Sequence, residues 1–490
     1  MNSQAIAILG TKSLTLQRNL FEQTSPEIIK LDASDDIKFF KISPDASLMM
    51  WAKNASIEIV SLNRLETQTQ IPIKRAQISG FSPKNSFLWV WCFPSAFKSN
   101  DPEENFKLFK ITLESNKFNL ECVYQSEINN YNYSTLFWAS DESFCLQYTP
   151  NIIRVFKEGI VEKQISLPGL FNLSMSSGCV AECIESLDAN FPSFVKLHKY
   201  PQLTSNSLSS QAFRNKKEFL FYWNHKGNIL IFTCVDKNQK NSVSYYGQQE
   251  VYFLGHKGES FQIEFSSKED VFDISWFPES DKFAIIHGSS PSIVTLYDHK
   301  GDPIYNLSSG PYSRIIINSS ETLLCLCGMG GIKGHTEFWS IKERKITCLM
   351  NTPLANELAW LPDGVHMVFS STSPRINFDN GYEIYDFSGT KIRDFVSKSI
   401  GTHSESFIQI EPLLIGDFTF PTPVVIASKA PIDLRSTCRG AYVPPSTSRF
   451  NLETMTKNTT NTKKNKKKAT KKKKEQENSS ETNQKLDSNV

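Results

Sequence analysis

Apolar and polar residues alternate with a period of two along most of this chain, in short runs broken by tight polar turns. The turns read SPDAS (43–47), SPKNS (82–86), ASDES (139–143), NHKGN (224–228), FPESD (277–281), NSSET (318–322) and LPDGV (361–365). Pro, Asp, Asn and Gly are the residues that tight turns select, so each of these marks the corner between two strands. An aromatic residue stands at or just before five of them: Phe81, Trp138, Trp223, Trp276 and Trp360. Each turn leads into a run with a second signature, as in IEIVSLN (57–63), FKLFKIT (106–112), IRVFKEG (153–159), VKLHKYP (195–201), VTLYDHKG (294–301), TEFWSIKE (336–343) and YEIYDFSG (382–389). No long segment has apolar residues at helical three-and-four spacing.

Successive turns lie 39, 57, 85, 53, 41 and 43 residues apart, and the 85 spans a weaker unit around SMSSGCVAEC (174–183) that makes it two repeats. A period of about 40–45 residues, closed by Tyr-Asp or Trp-Ser pairs that look like worn Trp-Asp pairs, is the signature of a WD-type blade. A four-stranded blade cannot bury both of its faces alone, so blades stack in a ring. The chain is therefore read as all-β, a WD-type β-propeller of nine four-stranded blades. The expected organisation is a propeller over 1–420, a Pro-rich extended arm over 421–450 packing on the propeller or leaving it, and a Lys-rich tail over 451–490. That tail is too poor in apolar residues to offset the entropy of ordering and is expected to be disordered.

Composition sharpens this picture in two places. The net charge of +2 hides +10 over 457–474 and −3 over 475–490, which leaves −5 for residues 1–456. Ten cysteines are scattered without a CxxC spacing, and the N-terminus MNSQAIAILGTKS has no basic start followed by a long apolar core. Both point to reduced thiols and a cytoplasmic location. The longest strongly apolar run, FLWVWCF (87–93), is too short to cross a bilayer.

Candidate chemistry is sparse. The loop CLCGMGGIKGHTEFWS (325–340) crowds Gly328, Gly330, Gly331 and Gly334 into seven residues, as phosphate-binding loops do. Its spacing matches neither GxGxxG nor GxxxxGK[ST], because Lys333 stands where a third glycine belongs, and a strand rather than a helix follows. Both phosphate designs need a helix N-terminus aimed at the anion. The expectation is a strand-to-strand connection, not a nucleotide site. GxSxG and HExxH are absent, the eight histidines are dispersed, mostly near predicted turns, and Asp35, Asp36, Asp298 and Asp302 read as turn formers. Cys325 and Cys327 are expected to be two core thiols on one strand face rather than half a metal site. No catalytic residue, metal or cofactor is expected.

The tail KKNKKKATKKKK is the feature with clear physical consequences. Lys463, Lys464, Lys466, Lys467, Lys468, Lys471, Lys472, Lys473 and Lys474 are point charges that attract a polyanion and release its counterions, giving salt-sensitive, sequence-independent binding. Contact with RNA or the ribosome is one reading; a solvated solubility tail, a compositional bias and a nuclear targeting signal are the others.

The segments 272–307, 320–346 and 357–392, taken in order, resemble the eukaryotic translation initiation factor 2A family of single-chain WD-repeat factors. The resemblance is carried by Gly328, Gly330 and Gly334; by Trp360 with Pro362, Asp363 and Gly364; by Pro374-Arg375; and by Asn380, Gly381 and Tyr382. AYVPPSTSR (441–449) and the Lys-rich run after it are similar to the family's post-propeller segment. The resemblance covers about 270–475, and the N-terminal half only by blade pattern. It implies a non-catalytic, monomeric, nine-bladed propeller that binds the small ribosomal subunit. It also implies assistance in GTP-independent, codon-dependent placement of initiator methionyl-tRNA, with mRNA, rRNA and other initiation factors as further partners and neither membrane nor small-molecule substrate. The alternatives are a generic WD-repeat interaction scaffold and the propeller subunit of the multi-subunit initiation factor 3. The latter begins with an RNA-recognition domain, whose pattern does not precede the first blade.

Overall fold

The turn-and-strand repeat closes into a ring of nine blades in a computed structural model of the chain. The structure describes residues 4–435 apart from 23–24, 66–67, 95–103, 115–116, 187–190, 204–205, 215, 236–248, 266–269, 330–333, 377–378, 398–404, 417 and 426–430. The 436–490 part of the arm and tail therefore lies outside the described residues.

Eight blades are built from consecutive antiparallel strands, designated A to D from the first to the last. They span 39–71, 76–126, 137–166, 170–213, 216–263, 271–310, 314–351 and 357–396. The A strands of successive blades lie against one another, which makes them the inner ring. The ninth blade is composite: its A strand is Phe407–Leu414, and its B, C and D strands are the N-terminal Gln4–Gly10, Leu14–Arg18 and Glu27–Asp32. Gln4–Gly10 pairs antiparallel with Phe407–Leu414 over seven residue pairs and is buried along its whole length.

The seven turns read from the sequence are A–B turns. The unit around 174–183 is blade 4, with its A–B turn at Ser177-Gly178. The second signature falls on the C strands, except that the C strand of blade 5, Gln249–Leu254, carries no such mark and is not in the sequence reading. B strands such as Leu48–Ala52, Phe87–Cys92, Phe283–His287 and Leu323–Cys327 are buried at every position. They read as continuous apolar runs because neighbouring blades cover both faces. Nine inter-blade cores result, one at each seam, with Trp51 the largest fully buried side chain.

The A–B turns also link blade to blade. Asn85 Nδ2 donates to Asp45 Oδ1 at 2.6 Å, the backbone N–H of Lys84 to Glu142, and Ser177 Oγ to the His225 carbonyl at 2.8 Å. Asn224 Nδ2 donates to Asp281 Oδ1 at 2.9 Å, and the N–H groups of Glu279 and Ser280 both reach Glu321 Oε1 at 2.6 Å. Asn318 Nδ2 donates to the Gly364 carbonyl at 2.8 Å, and Gln4 Nε2 to Asp363 Oδ2 at 3.1 Å. The turn aromatics add a second set of ties. Trp223, Trp276 and Trp360 each donate Nε1–H to the A strand of the preceding blade, at Ser174 Oγ, Tyr222 O and Ile316 O. Trp138 stacks on Phe87 of blade 2 with ring centres 5.0 Å apart.

The composite blade is held on both flanks. Towards blade 8, Tyr382 Oη donates to Gln17 Oε1 at 2.6 Å, and Arg393 Nε to the Leu20 carbonyl at 2.7 Å. Towards blade 1, Asp32 accepts from Trp51 Nε1 at 2.8 Å and pairs with Lys53 at 2.7 Å. Burial alone would raise the Asp32 carboxyl, but the hydrogen bonds from Lys53, Ser34 and Trp51 hold it down at about 2.

At the seam between blades 3 and 4 the described residues show no A–B turn tie. Phe144 and Tyr200 stack there with ring centres 3.5 Å apart, and Tyr148 Oη donates to Asn172 Oδ1 at 3.3 Å. On the same face as Val180, which packs with Tyr148, Glu182 and His198 are buried with Oε2 and Nε2 3.3 Å apart. Two of the eight histidines thus depart from the sequence expectation: His198 and His287 sit on strands, inside, rather than near turns. Burial pushes the Glu182 carboxyl up to about 7 and the His198 imidazole down, so both favour their neutral forms.

Beyond the ring, Ile432–Asp433 of the arm pairs in parallel with Lys345–Asn351, the D strand of blade 7, making that blade five-stranded. The N–H of Leu434 donates to the Leu349 carbonyl at 2.7 Å. Leu434 lines a cleft of about 310 Å³ between blades 7 and 8, together with Pro353, Leu354, Phe369, Tyr385 and Val396.

Two outcomes test these contacts. Tyr382→Phe should lower unfolding stability by about 1–3 kcal/mol in urea melts, because it strands buried Gln17 without a partner. Glu182 gains a proton on folding, so its contribution to stability is complete below about pH 4 and is lost as pH rises to about 7. Glu182→Gln should therefore stabilise the chain by about 1–3 kcal/mol at pH 8 and leave it unchanged at pH 4.

Candidate functional site

Two ends of the ring differ in chemistry. One end carries the A–B and C–D connections, and the A–B turns there spend their polar groups on neighbouring blades. The opposite end carries the B–C and D–A connections, including the longest ones.

The glycine-rich loop belongs to this second end. It is the B–C connection of blade 7, joining Leu323–Cys327 to His335–Ser340. The Gly328 N–H donates to the His335 carbonyl at 2.7 Å, and the Met329 N–H to Ser313 Oγ at 2.9 Å. Gly334 has φ +65°, and a Cβ there would lie 2.3 Å from the Thr352 carbonyl, so a side chain is excluded by close backbone approach. A strand follows, as the sequence indicated, while Gly330 lies outside the described residues. Tyr312, Ser308, His335, Glu337 and Trp339 form a hydrogen-bonded group beside the loop. Glu337 Oε2 accepts from Trp339 Nε1 at 2.9 Å, and Oε1 lies 3.0 Å from His335 Nε2. Burial would raise the Glu337 carboxyl, yet hydrogen bonds from His335, Tyr312 and Trp339 bring it below the usual range. The group braces blade 7 against Ser308 of blade 6, with the Glu337 carboxylate turned to its neighbours.

The remaining motif residues lie in blade 8, at its seams with blade 7 and with the composite blade. Trp360 ties blade 8 to blade 7; Pro362, Asp363 and Gly364 form the A–B turn that meets Asn318 on one side and Gln4 on the other. Asp363 also accepts from the N–H groups of Val365 and His366 and from His366 Nδ1. Asn380 Nδ2 donates to the Ile376 carbonyl at 2.7 Å, and Tyr382 reaches Gln17. At Gly381 a Cβ would sit 2.1 Å from the Phe395 carbonyl, so the C and D strands require glycine there. These positions surround the closure of the ring. Cys325 and Cys327 are buried, and burial pushes both thiols up, which suits core thiols. Among the described residues no three His, Cys, Asp or Glu side chains form a group able to hold a metal ion, and no helix is long and apolar enough to cross a membrane.

Sequence reasoning missed an exposed aromatic pair at the B–C/D–A end. Phe93, just after the B strand of blade 2, is 59% exposed, and Tyr131, in the short 3₁₀ turn Tyr131–Tyr133 before blade 3, is 56% exposed. Both rest on buried Trp91, with ring centres 6.2 and 6.4 Å from it. Trp91 Nε1 donates to the Ile128 carbonyl at 2.9 Å, and Asn105 Oδ1 accepts from the Ile128 N–H at 2.8 Å. The exposed Lys74 and Arg75 lie alongside, the Phe93 N–H donating to the Arg75 carbonyl at 2.9 Å. The signal was present in FLWVWCF, read only as an apolar run; exposure of its last residue depends on where the strand ends. The nine tail lysines lie outside the described residues.

Residues 211–398 match the family model described as eukaryotic translation initiation factor eIF2A. The chain is 26% identical over 367 residues to eukaryotic translation initiation factor 2A of Dictyostelium discoideum, covering 73% of this chain and 59% of that protein. It is 24% identical over 420 residues to the Caenorhabditis elegans protein of the same name, covering 82% of this chain and 70% of the relative. The chain thus spans less than two thirds of the Dictyostelium relative. A solved structure titled as a eukaryotic initiation factor superposes with a TM-score of 0.71 at 20% identity, covering 84% of this chain and 98% of that one. Blades 5 to 8 thus match the family model of eukaryotic translation initiation factor eIF2A, and the chain is similar over most of its length to the factors of that name from two organisms.

Proposed function

We propose that this protein acts in translation initiation as a non-catalytic docking body. In this reading it binds the small ribosomal subunit and assists GTP-independent, codon-dependent placement of initiator methionyl-tRNA. The observation that carries the reading is the match of residues 211–398 to the eIF2A family model, joined to a run of ten lysines in 457–474. A propeller braced seam by seam is a stiff body, suited to presenting loops at fixed distances. The glycine loop, spent on bracing blade 7, is consistent with the absence of any GTP requirement. Initiation factor 3 and a generic scaffold are less favoured, because the matched family model is that of eIF2A. The partners in this reading are rRNA, initiator tRNA, mRNA and other initiation factors, in the cytoplasm.

The lysine run supplies attraction and the propeller supplies position. Polyanion binding through lysine releases counterions, so affinity falls steeply with salt. Deleting 457–474 should weaken association with small ribosomal subunits in sucrose gradients. It should also flatten the slope of log affinity against log salt by up to about 7 units if all ten lysines sit on phosphates. An unchanged slope removes the tail from the interface.

A further inference from the structure

The outer edge of blade 7 already holds a strand from elsewhere in the chain, and the cleft beside it holds that strand's apolar side chain. We propose that this edge and cleft are a docking site for an extended segment of a partner protein, with arm residues Ile432, Asp433 and Leu434 as its displaceable resident. The site goes beyond the ribosome-directed reading above and does not depend on it.

A sheet edge presents a row of unpaired N–H and C=O groups, and proteins blunt such edges with charge, with Pro or with a very short strand. The D strand of blade 7, Lys345–Asn351, is seven residues long and carries no charge after Lys345. Among the described residues, it is the D strand that bears a fifth strand; the other eight blades have four. The added pairing is parallel, with Ile432 opposite Cys348 and Asp433 opposite Leu349. The Leu434 N–H continues it to the Leu349 carbonyl at 2.7 Å, and Asn351 Nδ2 donates to the Arg435 carbonyl at 3.2 Å. Strand addition of this kind draws affinity from main-chain bonds and specificity from a pocket for a side chain.

The resident is held lightly. Its ladder is two residue pairs, and Pro431, Ile432, Asp433 and Arg435 are exposed. Asp433 and Arg435 pair with each other at 2.5 Å. Leu434 is the anchor, half-buried against the cluster of Cys348, Met350, Phe369 and Tyr385. It leaves the cleft of about 310 Å³ open beside it, walled by Pro353, Leu354, Phe369, Tyr385 and Val396. The occupant that fits is an extended segment running parallel to the D strand, with an aliphatic or aromatic side chain at the place of Leu434. Because the arm is tethered, it competes at a high effective concentration. A partner segment therefore meets only the fraction of molecules whose edge is open, and its apparent affinity is reduced by that fraction.

The test uses the full chain and a fluorescein-labelled peptide of residues 430–437, with binding followed by fluorescence anisotropy. Leu434→Ala in the chain loosens the arm and should tighten peptide binding about tenfold. Two changes in the peptide should each weaken its binding to that variant about tenfold: Leu434→Ala, which empties the cleft, and methylation of the Leu434 nitrogen, which removes the bond to Leu349. Leu354→Glu on the cleft wall, combined with Leu434→Ala, should weaken binding of the unchanged peptide, and urea midpoints of the chain variants control for folding. Equal peptide affinity in the unchanged chain and the Leu434→Ala chain overturns the proposal, because the arm then does not compete. Equal affinity of the methylated and unmethylated peptides overturns it too, because the edge is then not what the peptide pairs with. So does absence of binding to the Leu434→Ala chain at about 1 mM peptide. No ribosome enters this test, so its failure leaves the initiation reading standing, and failure of the tail deletion leaves the docking site standing.

Discussion

A nine-bladed ring stands or falls on the strand pairing that joins its two ends. Gln4–Gly10 has to find Phe407–Leu414, about four hundred residues away in the chain. Loop-closure scaling puts the entropic cost of such a meeting at about 5 kcal/mol. Against it stand seven residue pairs of ladder and the burial of Ile6, Ile8 and Leu9, none more than 1% exposed. Burying side chains of that kind is worth about 1.5–3 kcal/mol each, so apolar burial alone offsets closure. The polar ties at Gln17, Gln4, Asp32 and Arg393 then fix the register of the composite blade against both of its neighbours.

With the ring closed, every blade is covered on both faces and every A–B turn has a neighbour to bond. This explains why the polar turns, which look like solvent-facing corners in isolation, become connectors. It also separates the two ends of the molecule. The A–B turns are committed to cohesion, while the B–C and D–A connections include the longest segments. The motif residues that carry the family resemblance gather near the closure seam and its neighbours. Their contacts with Asn318, Gln4 and Gln17 hold neighbouring blades together.

The blade period, the turn positions, the aromatics beside the turns and the glycine loop as a strand-to-strand connection were legible in the chain. Each depends on local chemistry: Pro, Asn, Asp and Gly at corners, alternation along strands, glycine where backbones touch. The exposure of Phe93 and Tyr131 beside buried Trp91 was not legible. Trp91 and Phe93 lie in one apolar run, and only the end of the B strand at Cys92 separates the buried ring from the exposed one. Nor does period-two alternation reveal that Glu182 and His198 are enclosed, because burial of that face depends on blade 3 lying across it. Residues 431–435 read as part of a Pro-rich extended arm packing on the propeller or leaving it; that two of them add a parallel strand to blade 7 was not legible, because the pairing needs an edge available only after blade 7 exists.

The sequence by itself determined that the chain is a stack of short antiparallel sheets, where most of them turn, and which family they resemble. These are properties of neighbours along the chain, and local propensity and pattern carry them. Only the tertiary structure decided that the N-terminal strands complete the last blade, which polar groups are spent at the seams, and which aromatic residues remain uncovered. Those outcomes depend on surfaces brought together from opposite ends of the chain, and no local pattern encodes what will lie across a given face.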